Sequence, residues 1–271
     1  MPPVDSIRHP DRGANQGPRR EPTKLWQLVH RLLRIVGIAV CAAPGVSIVQ
    51  VLLVRVIDPI TPTMVGVAVE QRAWPDRDWR ELAELGHVPR AFASAEDQRF
   101  FLHGGFDWDA ICAAAGHNLD GGTLRGGSTI TQQVAKNVFL WQGRTWIRKI
   151  PEAWYTLLLE ILVPKARILE LYVNVAETAP GTFGAEAGAR HHFGRSAARL
   201  SADEAARLAG VLPNPGDRSP GSSSAGRIAS FVASHPAPFP GDPGFSLVRD
   251  EYRREAASPW TCLSRIAGGG D

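Results

Sequence analysis

Two glutamates in this chain have neighbours that an ordinary charged surface would not give them. Glu96 and Asp97 interrupt the apolar side of "AFASAEDQRFFLHGGFDW", where Phe92, Ala95 and Phe100 follow helical spacing. Apolar surroundings raise a carboxyl pKa, which would suit Glu96 to general acid or base work. The competing reading is a solvated acidic patch in which Glu96 pairs weakly with Arg99. The second glutamate, Glu152, lies in "GRTWIRKIPEAWYTLLLE" with Arg144, Arg148 and Lys149, and Lys136 adds a fourth cation. Clustered cations beside an isolated acid match the needs of a departing diphosphate. A surface ion pair of Glu152 with Arg148 or Lys149 is the simpler alternative.

The stretch "GGSTITQQVAKN" (residues 126–137) links the two regions. Thr129 followed three residues later by Gln132 predicts a capping box at a helix start. Ile130, Val134 and Val138 then supply an apolar face. A cap does not require Gln133, Lys136 and Asn137 as well, so these call for another explanation.

These segments need elements to hold them. Helical periods dominate from about Trp79 to Asn214, and strand-like alternation is scarce. "SADEAARLAGVLPNP" reads as a helix capped by Ser201, with Asp203 and Glu204 in its first turn and prolines at its end. Residues 216–244 turn to Pro, Gly and Ser and read as loop or linker, with one short helix expected at 245–254. A hydrophobic content of 44% is ample for a core. The net charge is only +3 and the basic residues are scattered among acids, which argues against nucleic acid as a partner. Cys41, Cys112 and Cys262 are odd in number and far apart, so neither a zinc site nor a disulfide framework is indicated. The eight histidines form no HExxH, and the adjacent His191 and His192 would point different ways on a helix, so no metal ligands are assigned.

Near the start, residues 35–54 ("IVGIAVCAAPGVSIVQVLLV") run for twenty positions without a charge, about the length that crosses roughly 30 Å of hydrocarbon. Arg19, Arg20, Lys24, Arg31 and Arg34 precede the run, so the positive-inside rule keeps the N-terminus cytoplasmic and the rest outside. The alternatives are a cleaved signal peptide, for which the apolar run is long, and a buried helix of a soluble domain. The expected organisation is a disordered tail at 1–34, a transmembrane anchor at 35–57, a mainly helical domain at 58–215 and a Pro/Gly/Ser-rich tail at 216–271.

Four ordered motifs add a resemblance. Glu96-Asp97-x-x-Phe100-x-x-His103-x-Gly105-Phe106-Asp107 is similar to the first signature of the peptidoglycan glycosyltransferases. Gly127-Ser128-Thr129-Ile130-Thr131-Gln132-Gln133 with Lys136-Asn137 resembles the second. Arg148-Lys149-x-x-Glu152-Ala153 resembles the third, and Ile168-Leu169-Glu170-x-Tyr172-x-Asn174 the fourth. The stretch "GTFGAEAGARHHFG" resembles the family's closing segment. Lacking a transpeptidase-sized region, the chain most resembles the monofunctional biosynthetic transglycosylases.

The resemblance implies a lysozyme-like helical fold and polymerisation of lipid II onto a glycan carried by undecaprenyl diphosphate. The linkage formed would be β-1,4, with inversion at the donor carbon. It implies Glu96 as general base and Glu152 as an orienting or leaving-group residue. Ser128, Thr129, Gln133, Lys136, Asn137, Arg144, Arg148 and Lys149 would be the substrate contacts. Membrane lipid and proteins of a cell-wall synthesis complex are the expected surroundings. A divalent cation, Mg²⁺ or Mn²⁺, is compatible with that chemistry, but no carboxylate cluster dictates one. A lysozyme-like hydrolase and a non-catalytic anchored scaffold remain as other readings. The chain departs from the family pattern at Pro151 inside the third motif, at Ala179-Pro180 where a glycine is expected nearby, at His192 where an aromatic is usual, and over residues 216–271, which match poorly.

Overall fold

The computed structural model describes residues 24–119, 127–141, 143 and 145–267; a few of their side chains, among them those at 36, 39, 40 and 146, fall outside the description. The chain divides into two compact units, residues 1–46 and 47–271. Helix α1 (Lys24–Val54) starts within the first and ends within the second. The helix includes residues 24–34, which had been expected in the tail. In the first unit, Ile35 and Ile38 are exposed, and the rings of Trp26 and His30, one turn apart, meet at 3.8 Å. Among the described residues no helix is long and apolar enough to cross a membrane.

The second unit is built mainly from helices. They are α2 (Pro62–Gln71), α3 (Val88–Glu96), α4 (Trp108–Leu119), α5 (Ile130–Phe139), α6 (Lys149–Leu162), α7 (Lys165–Val175), α8 (Ala185–Phe193), α9 (Ala202–Ala209), α10 (Ser223–Ser234), α11 (Phe245–Glu255) and α12 (Pro259–Ala267). Helix α7 is the spine: Ile168, Leu169, Leu171, Tyr172, Val173 and Val175 are all buried, and α3, α5 and α8 pack around it. Burial at almost every position explains why α7 lacks a clean amphipathic pattern. Phe92 of α3 meets Tyr172 edge-on at 6.3 Å, and Ile130, Val134 and Leu159 complete the centre. Three short strands cover one side: β1 (Asp76–Arg77) is parallel to β3 (Thr182–Phe183), which pairs antiparallel with β2 (Glu177–Ala179).

Sequence boundaries shift at both ends of this unit. The last turns of α1 belong to it, because Val51 and Val54 enter the core and Ser47 and Gln50 accept hydrogen bonds from Trp154 and Tyr155. The body therefore starts before residue 58. Residues 216–271 are not simply a linker: α10 packs on α9 and α3 through Ala225, Ala229 and Val232, and α12 packs on α4. Small apolar residues let α10 approach closely, and their low hydropathy hid it among the serines. The expected helix at 245–254 is present as α11. The cysteine expectation is also corrected: Cys112 of α4 and Cys262 of α12 form a disulfide across 150 residues of sequence. Spacing rules cannot anticipate a pair that only tertiary packing brings together.

Two of the departures from the family pattern have local explanations. Pro151 falls in the first turn of α6, where its missing N–H costs no helical hydrogen bond, after a 3₁₀ turn at Trp146–Arg148. After Ala179-Pro180, Gly181 supplies the left-handed residue (φ 75°) that turns β2 into β3. The fourth motif is scaffold. The side-chain oxygen of Asn174 accepts from Arg80 N at 2.9 Å, and its amide donates to the carbonyls of Arg80 and Glu170. Glu170 pairs with Arg167, which also reaches the carbonyls of Val54 and Ile57.

Candidate active site

Helix α3 ends at Glu96, and the turn that follows docks on the N-terminus of α5. Asp97 Oδ2 accepts from Ile130 N, the first free N–H of α5, at 3.0 Å. One turn further along α5, Gln133 Nε2 donates to Glu96 Oε2 at 2.9 Å. The capping box forms as expected, with Thr129 Oγ1 accepting from Gln132 N and Gln132 Oε1 accepting from Thr129 N. Thr129 also donates to the Gly105 carbonyl at 2.6 Å and is buried. Its hydroxyl thereby holds the loop at Gly105 against the start of α5. Gly105 itself has φ 87°, and a Cβ there would lie 2.7 Å from Glu160 Cγ, so only glycine fits.

Burial lifts the Glu96 carboxyl above the ordinary glutamate range. The Gln133 amide lowers it, Asp97 raises it again, and Lys136 and Arg218 lower it. Two cavities flank this carboxyl and its amide partner. One, of about 220 Å³, is lined by Glu96, Arg99, Gly127 and Ser128. The other, of about 270 Å³, is lined by Gln133, Lys136, Asn137, Tyr172 and Glu177.

Lys136 connects this region to the second glutamate. Its ammonium is pushed below the usual lysine range first by burial and then by Arg148, with Lys149 acting in the same direction. Glu152 and Glu96 both oppose that shift, so Lys136 feels the two carboxylates at once. Glu152 is buried and held from two sides, by Arg148 Nη1 at 2.9 Å and Lys149 Nζ at 2.5 Å. Arg148 Nε also donates to the Gly143 carbonyl. A buried glutamate gripped by two cations is suited to fixing their positions. Arg144 lies outside the described residues.

Among the described residues, Asp97, His103 and Asp107 bring one candidate metal-ligating atom each within 4.8 Å of one another. Their donors and acceptors are already matched. Gly105 N donates to His103 Nδ1, so the ring proton sits on Nε2 and is donated to Asp97. Asp107 accepts from Arg99 and from Ala110 N. The group fits a hydrogen-bond network rather than a cation, and no chemical step is drawn through a metal here. Asp97 and His103 are thus positioning residues that the sequence motif contained without revealing their role. Arg218 acts on Glu96 from a segment that composition assigned to the tail; its sequence context carried no signal.

Comparison with known proteins agrees with this geometry. Residues 66–232 match the Transglycosylase family model. The chain is 51% identical over 195 residues to a biosynthetic peptidoglycan transglycosylase of Xanthomonas campestris pv. campestris (strain B100), covering 68% of this chain and 78% of that protein. A protein of the same description from Xanthomonas oryzae pv. oryzae is 50% identical over 204 residues, 70% of this chain and 82% of its own. One from Xylella fastidiosa (strain 9a5c) is 46% identical over 200 residues, 70% and 80% respectively. With Glu96, Gln133, Lys136 and Glu152 all inside the matched region, the chain belongs to the transglycosylase family.

Proposed function

We propose that this protein is a peptidoglycan glycosyltransferase that polymerises lipid II into glycan strands for the cell wall. The observation that carries the reading is the position of Lys136. It is a half-buried cation lining the second cavity, and it feels both a carboxylate with raised pKa, Glu96, and the Arg148–Lys149–Glu152 cluster. In this reading Glu96 takes the proton from the acceptor's 4-hydroxyl as that oxygen attacks the donor's anomeric carbon. The bond to the lipid diphosphate breaks from the opposite face, so the product linkage is inverted to β-1,4. Lys136, Arg148 and Lys149 face the growing diphosphate charge, and Glu152 keeps two of them in place. Ser128 and Asn137 contact the sugars. A hydrolase would have no use for the cationic cluster.

The same reading places the catalytic unit at the outer face of the cytoplasmic membrane, with the N-terminus inside. Three observations support it. Residues 35–54 carry no charge. Ile147, Ile150, Trp154, Leu157 and Ile161 form an exposed apolar stripe along α6 and the turn before it, as an interfacial helix would. The Cys112–Cys262 disulfide belongs to an oxidising compartment. The test is purified protein in detergent with labelled lipid II, and separately with preformed peptidoglycan. Polymer from the first supports the proposal, whereas cleavage of the second without polymer would replace it with a hydrolase.

A further inference from the structure

The family match ends at residue 232, yet the chain continues and contacts the segments that line the catalytic cavity. Residues 235–262 touch both of its walls. On the α3 side, Ala237 N donates to Ser94 Oγ at 2.8 Å and Gln98 Nε2 donates to the His235 carbonyl at 3.1 Å. Those two positions bracket Glu96 by two residues on either side. Deeper in α3, Arg90 grips Asp242 with two hydrogen bonds of 2.8 and 2.6 Å and lies over the Phe239 ring at 4.6 Å. Phe239 in turn meets Phe101 edge-on at 4.6 Å. In the turn between the two helices, Arg99 lies over the Tyr252 ring at 5.7 Å, and on the α4 side Ala257 N donates to Asp109. The far end is then fixed covalently, Cys262 to Cys112, on α4 itself. Ser94, Gln98, Arg99 and Ala110 all line the cavity that contains Glu96.

We propose that residues 235–262 are a strap that sets the spacing of the two walls around Glu96, with Arg90 and Asp242 as positioning residues and the Cys112–Cys262 disulfide as its clasp. This deepens the polymerase reading and rests on it for the identity of the reaction. A surface tail would be expected to bond at scattered positions. This segment bonds immediately before and after the candidate base, then to the opposite wall. Arg90 also holds Asp242 down at about 2, with the Phe239 N–H adding to the effect. The clasp is conditional on oxidation, so the cavity reaches its working width only where the disulfide can form.

The test uses the full chain in detergent with three variants: Asp242→Asn, Asp242→Glu, and the pair Cys112→Ser with Cys262→Ser. Polymerisation of lipid II is measured as kcat and KM separately across pH, alongside hydrogen exchange at residues 90–98 and 107–112. The strap predicts faster exchange in both segments for Asp242→Asn and for the double serine variant. In both, kcat should fall about 10- to 100-fold at temperatures where they remain folded. The acid limb of kcat/KM should move down towards the ordinary glutamate range as water enters beside Glu96. The groups facing that carboxyl are Asp97, Lys136, Arg218 and Tyr172, and the variants change none of them. Asp242→Glu should restore most of the rate. Unchanged exchange, or a lowered melting temperature with kcat and the acid limb as in wild type, overturns the strap. A wild-type chain inert towards lipid II would refute the polymerase reading, and the exchange data would still decide the strap.

Discussion

Gln133 donates to Glu96 across 2.9 Å, from one turn inside the helix whose first N–H is capped by Asp97. Two neighbouring acids are thereby given different work: Asp97 locks the joint between α3 and α5, and Glu96 accepts from Gln133. Replacing Gln133 with the similarly shaped Met removes a donor to the carboxylate form. The Glu96 pKa, already raised by burial, should rise further. Because a base must be deprotonated, kcat/KM should climb with pH through that pKa, and the acid limb of Gln133→Met should lie at higher pH than that of wild type. A pH–rate profile of the two proteins checks this.

Holding Glu96 ionised costs stability. Its folded pKa is raised, so the native state binds a proton more tightly than the unfolded chain does, and stability falls as pH rises from the ordinary glutamate range to the folded value. Glu96→Gln should therefore melt higher than wild type at neutral pH, by an equivalent of about 1 kcal/mol. Below the ordinary glutamate range the difference should vanish. Thermal melts at the two pH extremes measure it.

Lys136→Ala should leave the fold intact and reduce kcat by about 10²–10³, the loss typical of removing one preorganised charge-stabilising group. The alkaline limb belongs to the same residue. Its pKa is lowered by burial and by Arg148, so activity should decline with rising pH before the usual lysine range is reached. Wild-type turnover in the variant would refute its leaving-group role.

Removing residues 1–46 should leave a stable body, because the second compact unit begins at Ser47. Removing residues 1–57 also deletes Val51 and Val54 from the core, a loss of about 1.5–3 kcal/mol for each buried side chain. Denaturant unfolding of the two truncated proteins should separate them clearly. Equal midpoints would show that the end of α1 contributes nothing to the core.

Much of this site was legible because its signals are local. The box at Thr129 and Gln132, the helix after Ser201 and the acid among apolar residues at Glu96 depend on neighbours within one or two turns, so spacing reveals them. The clustered cations and the resemblance located Glu152 and Lys136, but not that Lys136 feels both carboxylates. What escaped depends on distant partners. Cys112 and Cys262 meet only after α12 has packed on α4. Helix α10 buries alanines that carry little hydrophobic signal of their own. The hold of Thr129 on the loop was hidden because nothing in the sequence brings the Gly105 carbonyl to its hydroxyl. The uncharged run at 35–54 reads as one piece, although its last turns carry core residues of the catalytic body.

The most direct test of the account is glycan formation from labelled lipid II by the wild type and by Glu96→Gln, side by side in detergent at neutral pH. The account predicts polymer from the wild type and almost none from a variant that is folded and melts higher. Polymer from Glu96→Gln at the wild-type rate would contradict it, because the carboxyl around which the site is built would then have no part in the reaction.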